Sequence, residues 1–579
     1  MIHKLRYLLT TSQKKQVIIL GFLLLIGTVF EMAGLGILIP ALGLMLTPDI
    51  GLKYPFFKPY LIFLGNPTQV QLVIGGMIVM VLIYLLKSIF LVFLTWRQSK
   101  FTTELSADLG YKLFNGYLHQ PYSFHLNRNS AFLIRNIQSD IAQFSNVCQS
   151  AITLSLEFSL LAGVALLLIV AEPFGAMIVT VFFAISAFFF QRITKKKLLF
   201  WGKQKQLLSG LVNKDLQQGF GGVKDIKVLG REDEFLREFK GHNETFYKIL
   251  SRISTLNLVP RSYLELLAVI GLAGLIVLLV LQGRSLELLI PTIGIFVAAA
   301  FRMIPSVNRI MSSMQTIRFS KPVIDMLFDE FTLINHTRNS FPKSSSPIVV
   351  FKNLVELKGL CFMYKDTQSK AIDNICVEIR KGESIGLVGP SGSGKSTMVD
   401  LILGLLTPQS GKILIDGKDI HENLRHWQDQ IGYVPQSIFL IDDTIRKNIA
   451  LGIPEEKIDV KLLESALEAA QLGGFIKTLP DQLETIVGER GVRLSGGQRQ
   501  RIGIARALYH QPEILVLDEA TSALDTETEE KVMEAVNKLK GNKTLILIAH
   551  RISTLANCDR IYNLKMGKIV NEELDYGQS

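Results

Sequence analysis

The chain has 579 residues, of which 48% are hydrophobic, with a mean hydropathy of +0.31 and a formal net charge of +11 at pH 7. This length exceeds what one hydrophobic core supports, so at least two domains are expected. The positive charge does not indicate nucleic-acid binding, because many basic residues lie in loops between apolar segments, as membrane orientation requires. The four cysteines lack the close spacing of a metal site or a disulfide framework: Cys148, Cys361, Cys376 and Cys558.

Long apolar runs fill the N-terminal half of the chain. A membrane-spanning helix needs about 20 apolar residues. Six runs are candidates, near residues 17–46, 70–96, 145–171, 174–191, 263–282 and 286–310. The first follows a basic N-terminus without a small-residue cleavage site, so it is interpreted as a membrane anchor and not as a removed signal peptide. Only Glu172 and Pro173 separate the third run from the fourth, which predicts a tight helical hairpin.

The basic residues predict the orientation of these six spans. Lys4, Arg6, Lys14 and Lys15 precede the first span, and many more cations lie between residues 192 and 261. The opposite loops carry few cations, namely Lys53, Lys58 and Arg284. Cytoplasmic loops are the ones enriched in lysine and arginine, so both termini are predicted to face the cytoplasm.

Two long connections on the predicted cytoplasmic side, 97–144 and 192–262, mix polar and apolar residues at helical spacing. We expect the membrane helices to continue into the cytoplasm and to turn back near Gln120–Ser123 and Gly219–Gly222, because unstructured loops of this length are uncommon. The outward loop 47–69 is rich in Pro, Phe and Tyr. Its composition fits a short amphipathic helix at the membrane surface and a packed connecting loop equally well.

A stretch rich in Ser, Pro and Asn, residues 335–347, separates the apolar part from a second domain. From Val349 onward, short β-branched runs alternate with helical segments, which is typical of an α/β domain. The predicted organisation is a transmembrane domain at 1–330, a linker at 331–347 and an α/β domain at 348–579.

A phosphate-binding loop follows the predicted buried strand Ser384–Val388. The segment matches GxxxxGK[ST] and is followed by a helix, which is the context this motif requires. Backbone N–H groups of such a loop surround phosphates, aided by the positive end of the helix. Lys395 is predicted to reach the β- and γ-phosphates and Ser396 to bind Mg²⁺ through its hydroxyl. The loop residues predicted to bind the nucleotide, ATP or GTP, are Gly389, Pro390, Ser391, Gly392, Ser393, Gly394, Lys395, Ser396 and Thr397.

A second apolar strand, Ile514–Asp518, ends in two acids. Asp518 at the strand tip suits a Mg²⁺ partner, directly or through water. Glu519 can polarise the water that attacks the γ-phosphate, as a general base.

Leu494, Ser495, Gly496, Gly497 and Gln498 form LSGGQ between the phosphate loop and Asp518. This segment resembles the signature motif of the ABC family, and the rest of the family's motif set is present in order. The resemblance implies further ATP-site residues, which are Tyr364 stacking on adenine, Gln436 of the Q-loop at ATP and Mg²⁺, Asp525 of the D-loop and His550 as the catalytic switch histidine. Residues Val487–Gly491 resemble the segment that marks the exporter subclass.

Six spans followed by one nucleotide domain is the plan of an ABC exporter half-transporter. The resemblance therefore implies an α-helical membrane domain with long cytoplasmic extensions, joined to an α/β P-loop ATPase that hydrolyses ATP with Mg²⁺. In this family the signature loop of one subunit completes the ATP site of the other. Because the chain carries one complete motif set, a homodimer with two equivalent sites is expected, embedded in membrane lipids and without nucleic acid.

Four cations lie within or at the edges of the apolar runs: Lys87, Arg261, Arg302 and Arg309. Charges in a bilayer are costly unless they meet a partner or water. One explanation is that they bind an anionic substrate in a wet central cavity. The alternative is structural pairing with Glu31, Glu157 or Glu265, or extension of the side chains to the interface.

Residues Val259–Glu265 and Phe301–Ile310 resemble segments of the bacterial flippase for lipid-linked oligosaccharides of protein N-glycosylation. That resemblance implies that Arg261, Arg302 and Arg309 meet the pyrophosphate of a polyprenyl carrier, with Lys87 where that family carries an arginine. The expected function is therefore transfer of such an anionic lipid to the outer leaflet of the bacterial inner membrane. The alternatives are export of drugs, peptides or a lipid such as lipid A, or a non-transporting ATP-gated regulator.

Overall fold

The computed structural model describes residues 2–36, 68–171, 173–281, 286–340, 350–365, 367–521, 525–549 and 555–574. They divide into two compact units. The first contains Met1–Gln120 and His125–Ser340, and the second contains Pro121–Phe124 and Phe341–Ser579. The first predicted cytoplasmic turn, near Gln120–Ser123, is found, since one helix ends at Leu118 and the next begins at Tyr122.

The N-terminal unit is helical. Its helices are α1 (Ile2–Leu8), α2 (Thr11–Gly36), α3 (Gln69–Leu118), α4 (Tyr122–Leu126), α5 (Ser130–Arg135), a π-helical turn (Asn136–Asp140), α6 (Ile141–Ala171), α7 (Pro173–Gly221), α8 (Val223–Leu229), α9 (Glu232–Leu281), α10 (Leu286–Phe319) and α11 (Lys321–Ser340).

Local chemistry explains where several of these helices begin and end. Thr68 and Gln71 form a reciprocal capping box at the start of α3. Pro173 occupies the first position of α7, where its missing N–H costs nothing. Gly230 closes α8 with φ +60°, a left-handed conformation that glycine adopts without strain. Helix α11 continues to Ser340 and so includes the first ten residues of the stretch predicted as the linker, 331–347.

Helices α3, α7 and α9 contain 50, 49 and 50 residues. At 1.5 Å per residue each is about 75 Å long, more than twice the roughly 30 Å of a bilayer core. The predicted extension of the membrane helices beyond the bilayer is therefore confirmed. The turn near Gly219–Gly222 is also found, since α7 ends at Gly221 and α8 begins at Val223.

Within the described residues, four helical segments are long and apolar enough to cross a membrane: Thr11–Gly34, Val73–Leu118, Ser130–Leu166 and Glu232–Gly274. The predicted spans near 174–191 and 286–310 lie in α7 and α10, where many side chains are outside the described set. The count of six spans stays a prediction. The outward loop predicted at 47–69 lies outside the described residues except for its last two positions.

The C-terminal unit contains two sheets. Its strands are β1 (Leu354–Phe362), β2 (Ile372–Arg380), β3 (Ser384–Val388), β4 (Ser410–Ile415), β5 (Lys418–Asp419), β6 (Ile431–Val434), β7 (Ile514–Asp518), β8 (Thr544–Ile548), β9 (Arg560–Lys565) and β10 (Lys568–Leu574). A six-stranded sheet has the order β10-β9-β3-β8-β7-β6, in which all neighbours are parallel except β10 and β9. A four-stranded antiparallel sheet has the order β2-β1-β4-β5.

The helices of this unit are α12 (Lys395–Ile402), α13 (Leu424–Asp429), α14 (Ile445–Ile449), α15 (Val460–Ala469), α16 (Gly473–Lys477), α17 (Gly496–Tyr509) and α18 (Thr526–Asn537).

The central strands are apolar at successive positions because both faces of the six-stranded sheet are covered. In β7, Leu515 and Leu517 belong to one buried cluster, while Ile514 and Val516 belong to the other. Strand β8 alternates between the same two clusters. Burial on both sides fixes the parallel register, and the register sets which residues meet at the carboxyl edge of the sheet.

Candidate functional site

The predicted ATP-site residues follow the carboxyl ends of adjacent parallel strands. Leu387 of β3 and Asp518 of β7 are both in register with Ile548 of β8, which lies between them, and Val434 of β6 is opposite Leu517. The phosphate loop, the acidic pair and the Q-loop glutamine therefore leave the sheet at one edge. The predicted switch histidine, His550, lies outside the described residues.

The phosphate loop has a backbone that only glycine accommodates at two positions. Gly389 has φ +149° and Gly394 has φ +106°. A Cβ at Gly389 would lie 2.2 Å from the carbonyl oxygen of Leu564, and a Cβ at Gly394 would lie 2.5 Å from that of Ala371. The loop is thus packed tightly between neighbouring backbone segments, which holds its curved shape.

Lys395 lies inside the curve of this loop. The residue is 7% exposed, and its Nζ donates hydrogen bonds to the carbonyls of Gly389 at 2.8 Å and Pro390 at 3.1 Å. The hydroxyl of Ser393 is buried without a hydrogen-bond partner among the described residues. Gly394 has no side chain with which to cap α12, so the first N–H groups of this helix, next to the loop, have no side-chain cap. These donors fit the phosphates of ATP.

The other loop positions have two environments. Ser391, Gly392 and Ser396 are exposed, whereas Thr397 is buried at the start of α12. The hydroxyls of Tyr364 and Thr397 are 3.1 Å apart. This contact ties the aromatic residue predicted to stack on adenine to the phosphate loop.

The acidic pair occupies the end of β7. Asp518 is 6% exposed, and Glu519 adopts φ +49°, an unusual left-handed conformation for a side chain with a Cβ. Such strain is found most often at functional sites. The Nε2 of Gln436 donates to Oε2 of Glu519 at 2.6 Å, so the structure brings these two predicted residues together.

Negative charge is concentrated beside Asp518. Burial raises the pKa of the Asp400 carboxyl to about 6, and the nearby charge of Asp518 acts in the same direction. A buried carboxylate, Asp518, with the partly buried Asp400 near it forms an environment that favours a cation such as Mg²⁺. Sequence reasoning missed Asp400; its only signal is that it is the sole acid in the otherwise largely buried helix α12.

The signature segment forms the start of α17. The Oγ of Ser495 accepts from the N–H of Gln498, and the side chain of Gln498 accepts from the N–H of Ser495 at 2.8 Å. This capping box leaves the N–H groups of Gly496 and Gly497, at the first two helical positions, without a partner in the helix. Leu494, which precedes this capping box, is buried in the core of the C-terminal unit.

Among the described residues, no hydrogen bond or ion pair joins the signature segment, 494–498, to the phosphate loop of the same chain, 389–397. Asp525 is exposed. Burial lowers the pKa of the Arg501 guanidinium, and the negative charge of Asp525 partly opposes this shift.

The intramembrane cations whose side chains are described each have a carboxylate partner. The Nζ of Lys87 lies 2.8 Å from Oε2 of Glu31, and both side chains are largely buried. On α9, Arg261 pairs with Glu265 at 3.0 Å, with both side chains exposed.

Arg309 on α10 pairs with Glu157 of α6 at 2.9 Å, and here the burial is unequal. The Arg309 side chain is 52% exposed, whereas that of Glu157 is 2% exposed. Arg302 lies seven residues earlier on α10, and its side chain is outside the described set.

The amino-acid sequence matches two family descriptions, "ABC transporter transmembrane region" over residues 17–303 and "ABC transporter" over residues 372–522. An ATP-dependent lipid A-core flippase of Nitrosococcus oceani is 32% identical over 476 residues, 80% of this chain and 77% of the relative. A Bacillus subtilis protein named provisionally as a multidrug export ATP-binding/permease protein is 31% identical over 500 residues, 84% of this chain and 83% of the relative. The solved structure of a bacterial Atm1-family ABC exporter with ATP bound matches with a TM-score of 0.78 at 24% identity, over 97% of this chain and 95% of that one.

The fold is therefore a helical membrane domain joined to an α/β ATPase domain, as the sequence predicts. The chain belongs to the ABC transporter family, as a half-transporter of the exporter type. It is an ATP-binding, ATP-hydrolysing transporter with several membrane-spanning segments.

Proposed function

We propose that this exporter is a flippase that uses ATP hydrolysis to move an anionic lipid of the lipid A-core type from the cytoplasmic to the outer leaflet of the bacterial inner membrane. The observation that carries the proposal is the extended similarity to the Nitrosococcus oceani lipid A-core flippase, which includes both domains. A polyprenyl-pyrophosphate-linked oligosaccharide, the substrate expected from the sequence, has no support among these relatives. The lipid A-type alternative fits them better.

In the proposed ATP site, Lys395 leaves the carbonyls of Gly389 and Pro390 and binds the β- and γ-phosphates. Its neighbours Ser393 and Ser396 add hydroxyl donors to the phosphates. Glu519 polarises the attacking water, and its contact with Gln436 holds the carboxylate at the strand tip.

Ser396, Gln436 and Asp518 are the residues that would hold Mg²⁺. When bound, Mg²⁺ neutralises charge on the phosphates. The carboxylate of Asp518 and the nearby Asp400 support a cation at this edge. His550 is proposed as the switch histidine on the strength of the family motif alone.

A homodimer completes the site in this proposal. The free N–H groups of Gly496 and Gly497 and the hydroxyl of Ser495 suit a γ-phosphate bound to a second copy of the chain. Asp525 is proposed to act at the same interface. The assignment of domains, with the membrane domain at 1–330, a linker at 331–347 and the cytoplasmic ATPase at 348–579, belongs to this proposal as well.

The proposed substrate contacts are Lys87, Arg261, Arg302 and Arg309. The pairing of Arg261 and Arg309 with glutamates does not exclude substrate binding, because a guanidinium has five N–H donors and an ion pair uses only some of them. Arg309 supports this best, since half of its side chain is exposed while its partner is buried. A phosphate group is a strong acceptor for such exposed donors.

The test is ATP hydrolysis and lipid translocation by the purified chain in liposomes, with four cargoes compared: lipid A-core, a polyprenyl-pyrophosphate glycan, a neutral lipid and a small-molecule drug. We expect lipid A-core to stimulate hydrolysis and to be translocated in an ATP-dependent manner, with little effect of the neutral lipid. Translocation of only the glycan or only the drug would show that this cargo, and not lipid A-core, is the substrate. Hydrolysis without translocation of any cargo would favour an ATP-gated regulator.

A further inference from the structure

Three potential metal ligands converge between α7 and α9, in the part of the first unit predicted to lie in the cytoplasm. Asp215 belongs to α7, and Glu238 and His242 belong to α9. The ligand atoms of the three side chains all lie within 4.8 Å of one another. None of these residues takes part in the ATP site, and all three lie outside the apolar runs 174–191 and 263–282 that the sequence predicts to span the membrane.

The spacing of the ligands follows from the helices. Glu238 and His242 are four residues apart, so their side chains share one face of α9. Asp215 faces them from the neighbouring helix, and its Oδ2 is 2.7 Å from Nδ1 of His242. A contact between two helices thus supplies ligands from both sides.

The burial of Asp215 calls for a compensating charge. Its side chain is 6% exposed, and a buried carboxylate is costly without a cation or strong donor beside it. His242, 27% exposed, provides one donor. A bound divalent cation would compensate the charge more fully.

Glu238 is available as a third ligand. Its neighbours on α9 form ion pairs among themselves: Arg237 pairs with Glu234 at 2.6 Å, and Lys240 pairs with Glu244 at 3.8 Å. Within the described residues, Glu238 makes no ion pair. Its exposed carboxylate can therefore swing toward Asp215 and His242.

We propose that Asp215, Glu238 and His242 bind one divalent transition-metal ion and that this ion fastens α7 to α9. An imidazole with two carboxylates suits Zn²⁺ and similar ions, whereas Mg²⁺ and Ca²⁺ prefer an all-oxygen shell. Ligands about 2.0–2.2 Å from Zn²⁺ are roughly 3–3.6 Å from one another, so the three side chains need only a small adjustment. The ion holds together the two long helices close to α8, the turn that joins their cytoplasmic ends.

The experiment uses the full-length chain in nanodiscs, without an affinity tag, stripped of metal by a chelator and free of nucleotide. Zn²⁺ binding is measured by calorimetry and by metal analysis after dialysis, and Co²⁺ serves as an absorbing probe of an imidazole-containing site. We expect one high-affinity ion per chain and a higher Tm with Zn²⁺, because binding to the folded state stabilises it.

The variants are Glu238→Gln and His242→Ala, each expected to weaken Zn²⁺ binding by about tenfold or more, since even loss of a residue that only supports a ligand costs about 10- to 100-fold. Glu244→Gln on the same helix and His119→Ala elsewhere are matched controls and should bind as the unaltered chain does. Glu238 is exposed, so Glu238→Gln is expected to fold normally, and the Tm of each metal-free variant verifies this. Absence of a high-affinity ion in the unaltered chain, or equal binding by Glu238→Gln and Glu244→Gln, would overturn the proposal.

Discussion

Replacing Arg309 by alanine tests whether the buried carboxylate of Glu157 needs this ion partner for the membrane unit to be stable. The Glu157 side chain is 2% exposed, one oxygen lies 2.9 Å from Arg309, and the other has no hydrogen-bond partner in the described part of the chain. Arg309→Ala therefore leaves a buried carboxylate without its ion partner. Breaking a buried ion pair from one side costs about 3–5 kcal/mol, and we expect a loss of this order in the stability of the membrane unit.

Part of the lost stability should be regained when the buried charge is removed as well. In the double variant Glu157→Gln, Arg309→Ala no unpaired charge remains, so the two substitutions should show a coupling energy of about 1–3 kcal/mol. Arg261→Ala is the matched control for stability only, because Arg261 is itself a proposed substrate contact. Both members of its pair with Glu265 are exposed, and surface pairs contribute only about 0–1 kcal/mol.

The assay is thermal unfolding and lipid translocation on the same purified variants in nanodiscs and liposomes. If Arg309 also contacts a phosphate of the cargo, the double variant regains stability but still translocates about ten- to hundredfold more slowly, from a lost contact of about 1.5–3 kcal/mol. An unchanged Tm for Arg309→Ala would refute the structural argument. Normal translocation by the stable double variant would show that Arg309 does not contact the cargo.

Three further outcomes are expected. Glu519→Gln should keep ATP affinity and lower turnover by about 10²- to 10⁴-fold, as loss of a general base does, and near-normal turnover would show that another group activates water. Lys395→Ala should weaken ATP binding and abolish turnover, whereas Ser495→Arg should spare binding and block dimer closure; a mixed dimer of the two should retain one working site, and two dead sites would exclude a shared site. Lys87→Met should lower Tm, and adding Glu31→Gln should restore it; a lower Tm in the double variant than in the single would contradict pairing.

Sequence reasoning predicted the elements whose pattern is local. Strand β3 spans Ser384–Val388 and β7 spans Ile514–Asp518, which are the segments expected from their apolar runs. The long helices and both turns were predictable because helical periodicity continued past the membrane runs. The four-stranded antiparallel sheet was not predicted strand by strand, because its pairing joins segments whose separation leaves no periodic signal, such as β1 with β4.

The candidate ATP site was predictable for a similar reason. Its residues lie in short motifs that follow strands, and parallel strands deliver them to one edge. The left-handed conformation of Glu519 and the contribution of Asp400 required coordinates, since neither residue type signals its backbone angle or its neighbours. The cluster of Asp215 with Glu238 and His242 was missed because only the packing of α7 against α9 brings it together.

Sequence reasoning left open whether the membrane cations bind a cargo or pair with glutamates. The exposed fraction of each side chain now indicates which cation is more accessible to a cargo. Lys87 and Glu31 are 13% and 12% exposed, so each charge is largely satisfied by the other and little of the ammonium is left for a third group. Arg309 pairs with a carboxylate that is almost wholly buried, yet half of its own side chain remains exposed. A cation can serve as counter-ion and as phosphate donor only when part of it stays accessible. Substitution of Arg309 should therefore affect translocation more, relative to its effect on stability, than substitution of Lys87.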